Sequence, residues 1–155
     1  MSNKPALTVD VVSDVVCPWC FLGMRNLQRA QAAVTDIDVT IRWRPYQLDP
    51  AIPPEGLDRT TYMVQKFGSP ERIKAAHDRL REMGAAAGIA FDFEAITISP
   101  NTLDAHRVIR WAAVEGNGMQ TPVVERLFQL YFEEGQNIGD HAVLDLGEAR
   151  SRKEL

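Results

Sequence analysis

The stretch Leu7-Thr8-Val9-Asp10-Val11-Val12-Ser13-Asp14-Val15-Val16-Cys17-Pro18-Trp19-Cys20-Phe21 decides how this chain folds. Leu7 to Val12 reads as a strand, and the run after Val16 reads as a helix. Cys17 falls at the helix N-cap, Pro18 at the first helical position and Cys20 at the third. These two cysteines are all that the chain contains. Thiols three residues apart at a strand-to-helix junction form the arrangement that makes and breaks disulfides.

The chemistry follows from the helix end. The first four amides of a helix lack internal partners, and the helix dipole favours negative charge there. A thiolate at Cys17 is expected to accept hydrogen bonds from the amides near Trp19 and Cys20, which lowers its pKa below the free-thiol value of roughly 8.5. Cys20 lies one turn inward and is more covered. Cys17 is therefore read as the attacking thiol and Cys20 as the resolving thiol of a disulfide exchange. Pro18 fixes the first turn and removes one amide donor. Trp19 offers an apolar surface for a peptide or a glutathione-like partner. A zinc site would need further cysteine or histidine ligands, and His77, His106 and His141 stand on separate predicted helices. No metal is expected, and no cofactor beyond the redox-active disulfide itself. An inert buried pair is the remaining alternative.

Outward from this centre, Cys20, Gly23, Leu27, Ala30 and Val34 recur at three- and four-residue steps and predict the buried side of the helix. Gly23 is expected to permit close packing on the sheet. From Asp38 the period becomes two, with Val39, Ile41 and Trp43 on one face and Thr40, Arg42 and Arg44 on the other, until Pro45. Strand, helix, strand predicts a parallel, right-handed unit. Asp49 to Gly56 carries three prolines and reads as a rigid connection. Asp58 caps a helix with Tyr62, Met63 and Phe67. Ser69-Pro70 starts another, with Ile73, Ala76, Leu80, Met83 and Ala87 as its stripe and Gly88 at its end. Phe91 to Ser99 alternates weakly. Asn101 or Thr102 opens a helix that Gly116 to Gly118 breaks. Thr121 reads as an N-cap with Pro122 following in trans, Gly135 closes that helix, and Asp140 begins a last one reaching Ala149.

Candidate residues outside the cysteine motif are fewer. His106 and Arg110, with Asp104 nearby, can line a polar groove in which Asn101 helps to bind a partner; a solvated helix face explains them as well. Tyr46 and Gln47 follow the second strand, where ligand contacts gather in parallel α/β folds. His77 reads as a surface or half-buried filler. Trp43, Trp111, Phe128 and Tyr131 read as core aromatics.

Composition bounds the rest. With 155 residues, 45% of them hydrophobic, the chain can bury a real core. A net charge of −4 without a basic block argues against nucleic acid as a partner. No apolar segment follows a basic start, so neither a signal peptide nor a membrane span is expected, and the location is read as cytoplasmic. A lone cysteine pair in a reducing cytosol is more plausibly catalytic than structural.

Four stretches then resemble the DsbA-like thiol oxidoreductases of the FrnE type, which are related to 2-hydroxychromene-2-carboxylate isomerases and kappa-class glutathione transferases. They are Val9 to Gly23 around Cys17-Pro18-Trp19-Cys20, Arg42-Trp43-Arg44-Pro45-Tyr46-Gln47-Leu48, Pro100-Asn101-Thr102-Leu103-Asp104-Ala105-His106-Arg107, and Tyr131-Phe132-Glu133-Glu134-Gly135-Gln136-Asn137-Ile138-Gly139-Asp140. The resemblance implies an α/β, thioredoxin-like fold: an N-terminal strand-helix-strand half over residues 1–50, a helical insertion domain over 51–142, and a short terminal helix and tail over 143–155. It implies a protein-disulfide oxidoreductase with Cys17 and Cys20 in the roles above. Relatives that are glutathione-dependent isomerases or transferases carry a serine in place of the first cysteine, so Cys17 favours disulfide exchange, with glutathione as a candidate co-substrate. The C-terminal strands and helix of the fold have no counterpart in the sequence. A homo-oligomer that covers the open part is expected, the alternative being a truncated product that serves as a non-enzymatic interaction module.

Overall fold

The computed structural model describes residues 3–116 and 118–145. Strand β1 (Ala6–Ser13) leads through the cysteine turn into helix α1 (Pro18–Ala33), and strand β2 (Asp38–Pro45) returns beside β1. The pair is parallel, with Leu7 opposite Val39, Val9 opposite Ile41 and Val11 opposite Trp43, as the crossover rule requires. Burial along β2 follows its period of two: Val39 and Ile41 are half-buried, Trp43 is buried, and the residues between are exposed. Arg42 and Arg44 on the open face both pair with Asp10 of β1.

The remainder is mostly helical: α2 (Arg59–Phe67), α3 (Pro70–Ala86), α4 (Leu103–Val114) and α5 (Gln120–Phe132). A small antiparallel ribbon joins β3 (Leu57–Asp58) to β4 (Ile98–Ser99). Local chemistry sets the starts. The Asp58 side chain accepts the Thr61 N–H at 3.0 Å, and the Ser69 hydroxyl accepts the Arg72 N–H with Pro70 directly behind it. Residues 141–145 form one more helical turn, closed by bonds from the Val143 and Leu144 amides to the Asp140 carbonyl. The expected continuation to Ala149 lies outside the described residues.

Four expectations are corrected. The buried residues of α1 are Phe21, Leu22 and Met24, while Gly23 is exposed and a methyl group there would meet nothing within 4 Å. The helix turns toward the aromatic cluster instead: Phe21 stacks on Phe128 at 4.9 Å and meets Phe91 edge-on, and Arg25 and Gln28 both bond Glu125 of α5. On α3 the covered residues are Leu80 and Gly84, because the Phe91 ring lies where a Gly84 side chain would stand. Helix α5 begins at Gln120, ahead of the expected Thr121 cap. The Thr121 hydroxyl accepts the Trp43 indole N–H at 2.9 Å, and the Gln120 amide bonds both the Trp43 N–H and the Ile109 carbonyl. Trp111 is 59% exposed, whereas Trp43, Phe128 and Tyr131 are buried. One apolar cluster runs from Val15, Phe21 and Trp43 through Phe91 and Phe93 to Phe128 and Phe132, so the cysteine turn is braced from below by helices α4 and α5.

Candidate active site

The turn between β1 and α1 presents the two thiols. Cys17 is the N-cap of α1 in extended conformation, Pro18 opens the first turn, and both sulfurs are free and half-buried. Cys17, Pro18 and the exposed Trp19 line one side of a cleft of about 480 Å³. Helices α2 and α3 form the other side through Met63, Phe67 and Ile73, and Leu48 and Ile52 close one end. The volume suits a small molecule or one side chain of a peptide. Cys20 is absent from the walls, so of the two sulfurs Cys17 is the one that opens on the cleft.

The charge is arranged differently from the reading of the helix end. The Cys17 side chain accepts no capping hydrogen bond. The amides of Cys20 and Trp19 favour a Cys17 anion, but they are outweighed. Cys17 instead gives its S–H to Cys20, and this hydrogen bond, reinforced by burial, pushes the Cys17 thiol up. The same bond draws Cys20 down to about 6, against the cost of its burial. The Asp14 backbone N–H and the Ser13 hydroxyl also favour the Cys20 anion. The two thiols therefore share one proton and titrate as a unit. The first ionisation belongs to the pair, and the helix amides at Cys17 do not set it alone.

This sets a pH dependence for the reduced protein. In the unfolded chain both thiols ionise near 9.0, whereas the folded pair loses its first proton near 6. Between those values the unfolded chain binds one proton more, so stability rises with pH. Above them Cys17 keeps the proton that the unfolded chain gives up, so stability falls again. Urea midpoints are expected to climb from about pH 6 to a maximum near 9.0, where the thiols of the unfolded chain ionise. The oxidised protein is expected to lack that climb.

Behind the thiols lies a polar network anchored on Asp14. The Asp14 carboxylate is buried; Oδ2 accepts the Leu48 N–H at 2.8 Å and Oδ1 accepts His106 Nε2–H at 3.0 Å. The same His106 N–H reaches the Tyr46 carbonyl at 3.0 Å. Both partners are acceptors, so Nε2 carries the hydrogen. Gln47 donates to Asn101 Oδ1 at 3.2 Å, and Asn101 in turn accepts the Leu103 N–H and donates to the Ile52 carbonyl. Tyr46, Gln47, Asn101 and His106 thus tie the end of β2 to the start of α4, and none of them lines the cleft. His106 is 6% exposed, which excludes a solvated helix face, and Asp104 pairs with Arg107 and His141 away from it. Arg110, with His106, borders a second cavity of about 480 Å³ between β2 and α4 that has no cysteine in its walls. Among the described residues no three histidine, cysteine or acidic side chains gather as a metal site would require.

Two residues of this region escaped the sequence reading. Asp14 has one visible signal, an acid set between strand residues and the apolar pair Val15-Val16. Arg59 has another: a cation in the first turn of α2, where the dipole disfavours it.

The family model for the DSBA-like thioredoxin domain matches residues 8–148. The chain is 27% identical over 136 residues to the uncharacterised Bacillus subtilis protein YwbO, covering 88% of this chain and 62% of that one. The structure of the probable DsbA oxidoreductase of Streptomyces coelicolor superposes with a TM-score of 0.81 at 24% identity, over 94% of this chain and 62% of that one. The cytosolic disulfide reductase DsbM of Pseudomonas aeruginosa, in a structure with GSH, gives 0.59 at 19% identity, over 93% of this chain and 64% of that one. At these identities the structural likeness is one of fold. The chain spans less than two thirds of the length of each of these relatives. Among the described residues no helix is long and apolar enough to cross a membrane.

Proposed function

Since the chain belongs to the family of DSBA-like thioredoxin domains, we propose that it is a thiol–disulfide oxidoreductase whose Cys17-Pro18-Trp19-Cys20 motif exchanges disulfides with a small-molecule or protein thiol. One observation carries the reading: two hydrogen-bonded free thiols at a helix start, with only the first opening on a cleft. In the oxidising direction a substrate thiolate attacks Cys17 of the Cys17–Cys20 disulfide and releases Cys20 as the thiolate that the turn favours. A second substrate thiolate then attacks the mixed disulfide at the substrate sulfur, leaving one substrate disulfide and the reduced pair. The reducing direction runs the same steps backwards.

Glutathione is proposed as a co-substrate, a reading that the DsbM structure with GSH supports by fold analogy alone. A cytoplasmic site of action is proposed on the same analogy and on the lone cysteine pair. A homo-oligomer is proposed because β1 and β2 stand as a two-stranded sheet with Leu7 and Val12 exposed; a sedimentation profile of a stable monomer at every concentration sinks that part alone. The function itself is tested by turnover. The protein is expected to reduce insulin disulfides with glutathione as donor, or to oxidise reduced ribonuclease with glutathione disulfide as acceptor. No acceleration over the glutathione background in either assay would overturn the assignment.

A further inference from the structure

The floor of the cleft holds a cation with no ion-pair partner among the described residues. Arg59 is 9% exposed and lines the cleft that Cys17 opens on. Its guanidinium donates to the Tyr131 hydroxyl at 2.7 Å and lies 5.7 Å from the Tyr131 ring centroid. Burial holds the Tyr131 phenol up, in its neutral form, so it satisfies a hydrogen bond and leaves the charge uncompensated. Among the described residues no carboxylate pairs with Arg59. The acids in the cleft walls are engaged elsewhere: Asp14 by His106 and the Leu48 amide, Asp49 by the Tyr62 hydroxyl and the Ala51 amide. A buried guanidinium whose donors meet no carboxylate directly is costly unless something supplies one.

Three independent features point the same way. The Ser99 hydroxyl, on the ribbon strand beside the start of α2 and also in the cleft wall, is buried and has no partner among the described residues. Lys66 and Arg72 add positive charge to the walls. His77, stacked on Phe93 at 4.0 Å, is drawn down to about 4 by burial and then by the fields of Arg59 and Arg81, although Glu94 and Asp78 oppose them. Apolar side chains, among them Leu48, Ile52, Met63 and Ile73, share the lining with the cations and Cys17.

Resting on the oxidoreductase reading, we propose that the cleft selects thiols and disulfides that bear a carboxylate, with the acid group seated on Arg59 and its chain lying along the apolar wall toward Cys17. The substrate is a small acidic thiol compound. Arg59 acts as a specificity residue and takes no part in the exchange.

The test uses two pairs of probes matched in size. Dithiodipropionate and hydroxyethyl disulfide are reacted with the reduced protein, each rate being divided by that of a free model thiol. Thiodipropionate and thiodiglycol, which contain no disulfide, are titrated by calorimetry. A charge-assisted bond predicts that the wild type favours the diacid by at least about tenfold in both measurements. Arg59→Gln is expected to lose the preference in both measurements. Tyr131→Phe, which removes the hydrogen bond and leaves the cation, is expected to retain it, and so separates recognition from packing. If Arg59→Gln does not fold, Arg59→Lys stands in, with the preference reduced and not abolished. Equal binding of diacid and diol by the wild type, or an undiminished preference in Arg59→Gln, overturns the proposal. Binding of the inert diacid through Arg59 with no reaction of either disulfide upholds the site and sinks the redox reading instead.

Discussion

Cys17→Ala is expected to abolish disulfide exchange, and Cys20→Ala is expected to accumulate a stable mixed disulfide with substrate. The first outcome follows from access. Cys17 forms part of the cleft wall and Cys20 does not, so a disulfide lying in the cleft meets the Cys17 sulfur. The second follows from proton and electron accounting. To attack, Cys17 passes its proton to the Cys20 thiolate along the hydrogen bond between them, and its lone pair displaces one substrate thiolate. Cys20 gives that proton to the displaced substrate thiolate and, as a thiolate, attacks the mixed disulfide at Cys17 and displaces the other. Alanine at position 20 removes that second nucleophile, so the adduct persists.

The same substitution has a further consequence for Cys17. Its pKa is raised chiefly by the hydrogen bond to Cys20, while the Trp19 and residue-20 amides pull it down. Cys20→Ala removes the first influence and keeps the second. Alkylation of Cys17 by iodoacetamide at neutral pH is therefore expected to be faster in Cys20→Ala than in the reduced wild type, although the variant cannot turn over. Mass spectrometry of the adduct and the alkylation rate check the two halves separately. Exchange retained by Cys17→Ala would make Cys20 the attacking sulfur and reverse the roles.

The features legible in the sequence are those written in local chemistry. Asp58 and Ser69-Pro70 start helices because their side chains meet orphan amides two or three residues on, and such signals need no tertiary context. The period of two in β2 and its parallel pairing with β1 were legible for the same reason. The covered face of α1 was not. Its stripe from Cys20 to Val34 is as apolar as the Phe21 side, and only the aromatic cluster assembled from Phe91, Phe128 and Phe132 decides between them. Gly84 is invisible in a stripe count, since its contribution is the space it leaves for the Phe91 ring.

In the candidate site, the placement of the cysteines was legible and their charge state was not. A helix N-terminus alone predicts an anion at Cys17. The low first ionisation rests first on the hydrogen bond between the two thiols, and then on groups upstream of the helix, the Asp14 amide and the Ser13 hydroxyl, at the second sulfur. The Asp14–His106 contact joins residues far apart in the chain, and so does the cleft between the turn and α2. No local pattern encodes such pairs.

Asp14→Asn separates what that carboxylate does for the fold from what it does for the thiols, because the two effects have opposite signs. The substitution keeps the volume and removes the charge. Both neighbours of the carboxylate are donors, the Leu48 N–H and His106 Nε2–H, and an amide offers only one oxygen between them. One buried donor is left facing an NH₂ group, which costs about 1–3 kcal/mol. Chemical denaturation of the oxidised protein is expected to show that loss. For the reduced pair the field of the Asp14 charge raises Cys20, while the Asp14 backbone N–H, which the variant retains, lowers it. Removing the charge is expected to move the first thiol ionisation below its wild-type position near 6. His106→Ala supplies the contrast: it removes the imidazole donor and leaves the acid, so it destabilises the fold without making the thiols more acidic. Ultraviolet titration of the thiolate distinguishes the variants. An unchanged midpoint in Asp14→Asn, beside a clear loss of stability, would reduce Asp14 to a structural tie between the cysteine turn and α4.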